Sequence, residues 1–315
     1  MRGQSDTTHD VLWAPLGAGI RARGAGGRLG GIMKSHSKLA AGLCLLAGLL
    51  TAGAVAARDH EDALALGDSV VFGFITQAGF EYVNPDNFIG YPEYLNVFDD
   101  VDFTNAACPG ETTGSFLSST APDNGCRNFR SLAPLHVAYG STQFNFAKDF
   151  LSHHRDVRLV TIGLGANDLF LLENACAAAA NPAQCFQQGL PGLLQTIAAN
   201  MATILADLRA TGFGGVIVIV NYYSLDYSDP AGTAVTGYLN QAVSTAASAY
   251  GAVIADVFSA FQKVASTPAA GGKTCAAGLL NASPQNQFVC DVHPSQSGQR
   301  LIARTVARTF AAGHD

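Results

Sequence analysis

Two residues that could form a nucleophile and its base lie far apart in the sequence. Ser69 follows the apolar run at residues 63–66, within Gly67-Asp68-Ser69, and His293 lies near the C-terminus in Asp291-Val292-His293-Pro294. A serine hydroxyl attacks well only when a base removes its proton, and histidine is the usual base near neutral pH. Gly-Asp-Ser also forms ordinary turns, so the tripeptide needs support from other residues.

Gly110 and Asn167 could supply hydrogen-bond donors to an oxyanion. Gly110 follows an apolar segment at 101–106, and Asn167 follows another at 157–165. A glycine lets a backbone N–H approach a ligand closely, an asparagine amide is a second donor, and the Ser69 N–H would be a third. The set of residue types therefore indicates acyl transfer through a serine.

The elements that must position these residues alternate between strands and helices. Apolar runs predict five strands, at 62–66, 101–106, 157–165, 215–221 and 252–256. Helical spacing of apolar residues predicts helices at 91–98, 143–153, 190–211, 233–250 and 295–310, with loops at 175–188 and 265–292. This alternation predicts a parallel sheet with helices on both faces, a three-layer α/β/α sandwich. The carboxyl ends of parallel strands share one edge, which would bring Ser69, Gly110 and Asn167 together.

The first 57 residues are typical of a segment outside the fold. A basic stretch begins at Met33, an apolar run spans 39–50, and small residues follow at 54–56, which together predict a secretory signal peptide at 33–57. A membrane anchor is the alternative, although the apolar run is short for one. We interpret residues 1–32 as an artefact upstream of the true start, and 58–315 as a single domain of a secreted bacterial protein with no integral membrane segment.

Six cysteines remain after Cys44, an even number that predicts disulfides in an exported chain. Sequential pairing is expected because each successive pair brackets one loop-like segment: Cys108–Cys126, Cys176–Cys185 and Cys275–Cys290. Zinc binding is the competing interpretation. It is disfavoured because the sequence contains neither C-x-x-C nor H-E-x-x-H, so no metal site is expected.

The charge of the predicted mature chain limits its partners. From Arg58 onward there are 12 Lys and Arg against 22 Asp and Glu, a net charge of −10, without a basic stripe. This argues against nucleic acid and anionic membrane surfaces as partners. It favours a substrate that is neutral or not strongly anionic.

Four segments together resemble the motif blocks of the GDSL/SGNH hydrolase family: Gly67-Asp68-Ser69, residues 105–112, Gly165-Ala166-Asn167-Asp168 and Asp291-Val292-His293-Pro294. The resemblance implies a flavodoxin-like sandwich and no cofactor. It also implies a nucleophile at Ser69, a base at His293 with Asp291 as the third member, and an oxyanion hole of Ser69, Gly110 and Asn167. The cysteines and the exported start are most similar to the secreted bacterial lipases and esterases of that family.

One departure concerns the third member of the triad. The common family pattern is D-x-x-H-P, whereas Asp291 lies only two residues before His293. Asp291 could therefore act through its carboxylate or through its backbone carbonyl. A Ser69–His293 dyad is the third possibility.

The expected function is that of a secreted serine carboxylic-ester hydrolase acting on a neutral lipid or acylated small molecule. Phe72, Phe74, Ile75 and Phe80 follow the nucleophile and could either line an acyl groove or belong to the core. A carbohydrate O-acetylesterase of the same fold is one alternative. A non-catalytic exported binding protein is the other.

Overall fold

The computed structural model describes residues 61–76, 80–99, 101–283 and 289–313. The segments interpreted as an upstream artefact and a signal peptide, 1–32 and 33–57, lie outside the described residues.

Five parallel strands form the central sheet. They are β1 (Glu61–Gly67), β2 (Val101–Asn105), β3 (Val157–Gly163), β4 (Val216–Val220) and β5 (Ala252–Ala255). The strand order is β2-β1-β3-β4-β5, which is the order of flavodoxin-like folds. The predicted α/β fold class is confirmed.

Helices flank this sheet on both faces. In chain order they are α1 (Ser69–Phe72), α2 (Tyr91–Asp99), α3 (Thr113–Leu117), α4 (Cys126–Leu132), α5 (Gln143–His153), α6 (Ala166–Cys176), α7 (Pro182–Ala210), α8 (Pro230–Ser244), α9 (Val257–Ala265) and α10 (Gln296–Gly313). Two short 3₁₀ helices precede α2, and a third precedes β5.

The alternating residues of β1 face two separate cores. Ala63 and Ala65 pack with Phe72 and Ile302 on one face, while Leu64 packs with the apolar side of α7 on the other. This alternation follows from the two-residue period of a strand. Because the side chains at 63–66 of β1 are buried on both faces of the sheet, the polar residues that follow β1 lie beyond its carboxyl end.

Two of the predicted loops contain regular structure. The segment 175–188 includes the start of α7, because the Asn181 side chain caps the helix by accepting from the Gln184 N–H at 3.1 Å, and Pro182 suits the first helical position. The segment 265–292 contains β6 (Leu280–Ala282), which pairs antiparallel with β7 (Cys290–Pro294). His293 therefore lies on a strand that begins inside the segment predicted as a loop.

Helix α7 is long and apolar enough to cross a membrane by length and composition. Its buried residues, Ile197, Met201, Ile204, Leu205 and Leu208, belong to the core cluster on one face of the sheet. The apolar side of α7 is therefore explained by its packing against the sheet, as in other amphipathic helices that cover a core.

Among the described residues, three disulfides join the cysteines in sequential order, with S–S distances of 2.03 Å for Cys108–Cys126, 1.98 Å for Cys176–Cys185 and 2.09 Å for Cys275–Cys290. The first joins the loop after β2 to α4. The second joins the end of α6 to the first turn of α7, and the third joins the segment after α9 to β7. Each bridge thus fixes a segment that borders the carboxyl edge of the sheet.

Candidate active site

Ser69 is the first residue of α1, directly beyond the end of β1. Gly67 ends the strand with φ +151°, and a Cβ there would lie 2.4 Å from the Gly163 carbonyl oxygen, so only glycine fits. The Asp68 carboxylate then caps α1 by accepting from the Val70 N–H at 2.9 Å. The sharp turn leaves the Ser69 side chain at the carboxyl edge of the sheet.

The structure brings His293 to Ser69 from 224 residues away in the sequence. The His293 Nε2 atom is 3.0 Å from Ser69 Oγ, which is hydrogen-bond distance for a nucleophile and its base. The Tyr223 hydroxyl donates to the Val292 carbonyl at 2.6 Å, and the Phe74 ring lies 4.9 Å from the imidazole. These contacts, with the disulfide at Cys290, hold the histidine in place.

The carboxylate of Asp291 lies behind the imidazole. Asp291 Oδ1 accepts from the His293 backbone N–H at 2.6 Å and is 3.4 Å from Nδ1, which is within ion-pair distance but long for a hydrogen bond. Thr76 Oγ1 is also near Nδ1, at 3.2 Å. Burial opposes the ionisation of Asp291, but hydrogen bonds from His293 and Thr76 and the nearby His293 charge prevail and lower the pKa of this carboxyl. The ionised form of Asp291 is therefore favoured beside the His293 imidazole.

The amide of Asn167 is held at the start of α6. Its Nδ2 group donates to the Glu111 carbonyl at 3.0 Å and to Asp68 Oδ2 at 3.3 Å, and its Oδ1 accepts from Asn124 Nδ2 at 2.9 Å. Asn167 is buried and borders the same cavity as Ser69 and His293. Its amide nitrogen is thus a fixed donor at the cavity that Ser69 also borders.

Gly110 occupies a position that only glycine can take. Its φ is +85°, and a Cβ there would lie 2.4 Å from the Asn124 carbonyl oxygen. The Gly110 carbonyl accepts from the Asn124 N–H at 2.8 Å, which fixes the orientation of the loop after β2. The described residues that line the cavity beside Ser69 include Asn167 and His293 but do not include Gly110.

A cavity of about 320 Å³ opens beside Ser69. Much of its apolar wall comes from α6, the first turns of α7, the loop after β4 and α8, and includes Leu169, Phe170, Phe186, Leu225, Val235 and Leu239. Polar and acidic side chains at Glu173, Ser224, Asp226 and Asp229 also border it. The Cys176–Cys185 bridge ties together the two elements that carry Phe170 and Phe186.

Phe72, Phe74 and Ile75, which follow Ser69, pack in the core. Phe72 is fully buried, Phe74 packs on Phe88 and Phe129, and Ile75 is partly buried against the same cluster. The side chain of Phe80 lies outside the described part of the structure. Of the two predictions for this group, the structure favours core packing, and the apolar wall near Ser69 comes from later helices instead.

Three carboxyl groups are buried near the site. Burial raises the pKa of Asp68 and of Asp168 to about 6 and that of Glu111 to about 7, although hydrogen bonds to each carboxyl oppose the shift. Asp168 accepts from the Thr113 N–H at 2.9 Å and its hydroxyl at 2.7 Å, so it ties α6 to α3. Glu111 also lies close to the sulfurs of Cys108 and Cys126. Because those sulfurs are joined in a disulfide, they are not thiolate ligands for a metal.

Residues 65–301 match the model of the GDSL-like Lipase/Acylhydrolase family. The match spans most of the chain and includes every residue of the site described above, so the protein belongs to this family of ester hydrolases. A search of curated protein sequences found no match.

Similar solved structures share the fold at low sequence identity. An alpha/beta hydrolase from the metagenome of Lake Arreo, Spain, is 13% identical with a TM-score of 0.50, over 81% of this chain and 97% of that one. An extracellular lipase from Streptomyces rimosus is 18% identical with a TM-score of 0.49, over 79% and 99%. A variant of an acetyl-xylooligosaccharide esterase from Geobacillus is 14% identical with a TM-score of 0.49, over 79% and 94%.

Proposed function

We propose that the protein is a serine carboxylic-ester hydrolase that works through an acyl-enzyme on Ser69. The observation that carries this proposal is the 3.0 Å contact of Ser69 Oγ with His293 Nε2 at the edge of a cavity. His293 takes the hydroxyl proton while Ser69 attacks the ester carbonyl. His293 then protonates the departing alcohol, and a water activated by the same base releases the acid.

The negative charge that develops on the carbonyl oxygen needs preorganised donors. The Asn167 amide and the backbone N–H groups of Ser69 and Gly110 are assigned this role. The Ser69 N–H is available because the first N–H groups of a helix have no acceptor within the helix. Asp291 is assigned the task of orienting His293 and stabilising its protonated form through its carboxylate.

The acyl group is proposed to lie against the apolar wall of the cavity. Leu169, Phe170, Phe186 and Val235 are partly buried side chains that a hydrocarbon chain would cover further, and burial of apolar surface favours binding. The absence of lysine and arginine among the described residues of the wall is compatible with a neutral ester. The protein is therefore proposed to act on esters with an apolar acyl chain.

Secretion is also proposed. Disulfides form and persist mainly in oxidising compartments, and this protein has three; residues 33–57 have the pattern of a signal peptide. Expression of the full sequence in a bacterial host, followed by N-terminal sequencing of the protein in the medium, tests this point. A mature N-terminus near Ala57 is expected, and retention in the membrane fraction would instead indicate an anchor.

The activity is tested with p-nitrophenyl acetate, butyrate, octanoate and palmitate, using the mature chain and Ser69→Ala. We expect turnover by the wild type, none by the variant, and a higher kcat/KM for butyrate or octanoate than for acetate. A preference for acetate, extended to acetylated oligosaccharides, would favour an O-acetylesterase. Inactivity of the wild type on every ester, with no labelling of Ser69 by a serine-directed phosphonate, would favour a binding protein.

A further inference from the structure

The carboxylate beside the nucleophile has three donors in the folded protein. Asp68 is 1% exposed and directly precedes Ser69. Its Oδ1 accepts from the Val70 N–H at 2.9 Å, while its Oδ2 accepts from the Tyr222 hydroxyl at 2.6 Å and from the Asn167 amide at 3.3 Å. A buried carboxylate with three donors is well satisfied in its ionised form.

The Tyr222 hydroxyl reaches Asp68 from a backbone that is itself fixed. Tyr222 follows β4, and its N–H donates to Asn240 Oδ1 at 2.8 Å while its carbonyl accepts from Asn240 Nδ2 at 2.7 Å. The side chains of Tyr222 and Asn240 are both at least nine-tenths buried. The Asn240 side-chain amide on α8 therefore binds both backbone polar groups of Tyr222, which limits the movement of the Tyr222 hydroxyl.

The two bonds that the Asn167 amide donates differ in strength. The bond to the Glu111 carbonyl is 3.0 Å long and anchors one N–H, whereas the 3.3 Å contact with Asp68 is at the long end for a hydrogen bond. The second N–H is therefore the one that an oxyanion can share at small cost. The direction of this second N–H of Asn167 depends on the position of Asp68 Oδ2, its acceptor.

We propose that Tyr222 is a positioning residue for the oxyanion hole: its hydroxyl fixes the Asp68 carboxylate, which in turn directs the Asn167 amide toward the reacting carbonyl. This inference rests on the proposed function, because it assumes that Asn167 stabilises the oxyanion. A group positioned in this way acts on the transition state more than on the bound substrate.

The same contacts predict a change in pH dependence. Burial raises the pKa of Asp68 to about 6, and the hydrogen bonds from Tyr222 and Val70 oppose that shift. Of the other groups that face it, His293 lowers the pKa of Asp68 and Asp168 raises it. Without the tyrosine hydroxyl the ionised form loses a donor, so Asp68 takes up a proton at higher pH.

The test is Tyr222→Phe, assayed with p-nitrophenyl butyrate between pH 5 and pH 9. We expect kcat to fall about tenfold with KM within about twofold of wild type, since an indirect role costs less than the loss of an oxyanion donor. The acid limb of kcat should also move to higher pH. Tyr91→Phe is the matched control, because Tyr91 is also buried but its hydroxyl donates to Thr161, at 2.8 Å, and not to Asp68.

A double-mutant cycle with Asp68→Asn separates action through Asp68 from a general effect. Tyr222→Phe should change kcat by less than about twofold in the Asp68→Asn background. An unchanged kcat and acid limb in Tyr222→Phe, or an equal loss in both backgrounds, would overturn the proposal. Should Tyr222→Phe fail to fold, Asp68→Asn alone decides, since a wild-type acid limb in that variant also overturns it. A wild type inactive on all esters would refute the proposed function instead.

Discussion

Replacement of Asp291 by asparagine tests whether this carboxylate supports the base. The variant keeps an oxygen that can accept from the His293 backbone N–H, a bond of 2.6 Å in the wild type, and removes only the charge. The Asp291 and His293 side chains are mostly buried, with 13% and 14% of their surface exposed, so solvent screens the charge pair only in part. The loss of activity should therefore reflect the missing negative charge together with the imidazole tautomer that an amide near Nδ1 favours.

The expected magnitude follows from the distance between the two groups. At 3.4 Å, with an effective dielectric constant of about 20–40, a full charge pair is worth about 2–5 kcal/mol. The imidazole gains its charge as Ser69 attacks, so this energy stabilises the transition state. We expect kcat to fall on the order of 10²–10³-fold with little change in KM.

The assay is the initial rate of p-nitrophenyl butyrate hydrolysis at pH 8, with active sites counted by phosphonate labelling. Thr76→Val is the informative comparison, because Thr76 Oγ1 also lies near His293 Nδ1, at 3.2 Å. A kcat for Asp291→Asn within about threefold of wild type would refute the reasoning. It would indicate that Thr76 or the Asp291 carbonyl orients the imidazole.

Three further predictions concern the rest of the site. Asn167→Ala should lower kcat about 10²–10³-fold in the same assay; a near-normal rate would remove Asn167 from the oxyanion hole. Phe186→Ala should raise KM for the octanoate ester several-fold and leave KM for the acetate ester nearly unchanged, because a short acyl group leaves the ring uncovered; parallel changes for both esters would exclude Phe186 from the acyl site. Glu111→Gln should alter the pH dependence of stability measured by urea unfolding. The folded-state pKa of Glu111, about 7, lies above its usual 4.5 because of burial, so its contribution is fully present below pH 4.5 and is lost as pH rises to 7. Between those pH values the free energy of unfolding of the wild type should fall by up to about 3 kcal/mol relative to that of the variant. Equal dependence of the two unfolding free energies on pH would show that the pKa of Glu111 in the folded protein stays near its usual value.

Local sequence patterns determined much of this fold. The five apolar runs predicted as strands in the described part of the chain each form a strand of the sheet, because a short run that is apolar on both sides suits the buried middle of a parallel sheet. The glycines at 67 and 110 mark tight turns that a side chain would block, and Ser69 and Asn167 follow the strands that bring them to one edge. These features depend on neighbours in the sequence, which is why residue order was sufficient to predict them.

Contacts between distant segments could be decided only by the tertiary structure. Thr76 meets His293 across 217 residues and Tyr222 meets Asp68 across 154, and neither belongs to a recognisable motif. The same is true of the cavity wall: Phe170 and Phe186 lie on different helices, whereas the aromatic residues next to Ser69 turned into the core. Whether a side chain lies in the core or lines the cavity depends on how whole helices pack on the sheet. That packing cannot be predicted from the neighbouring residues in the sequence.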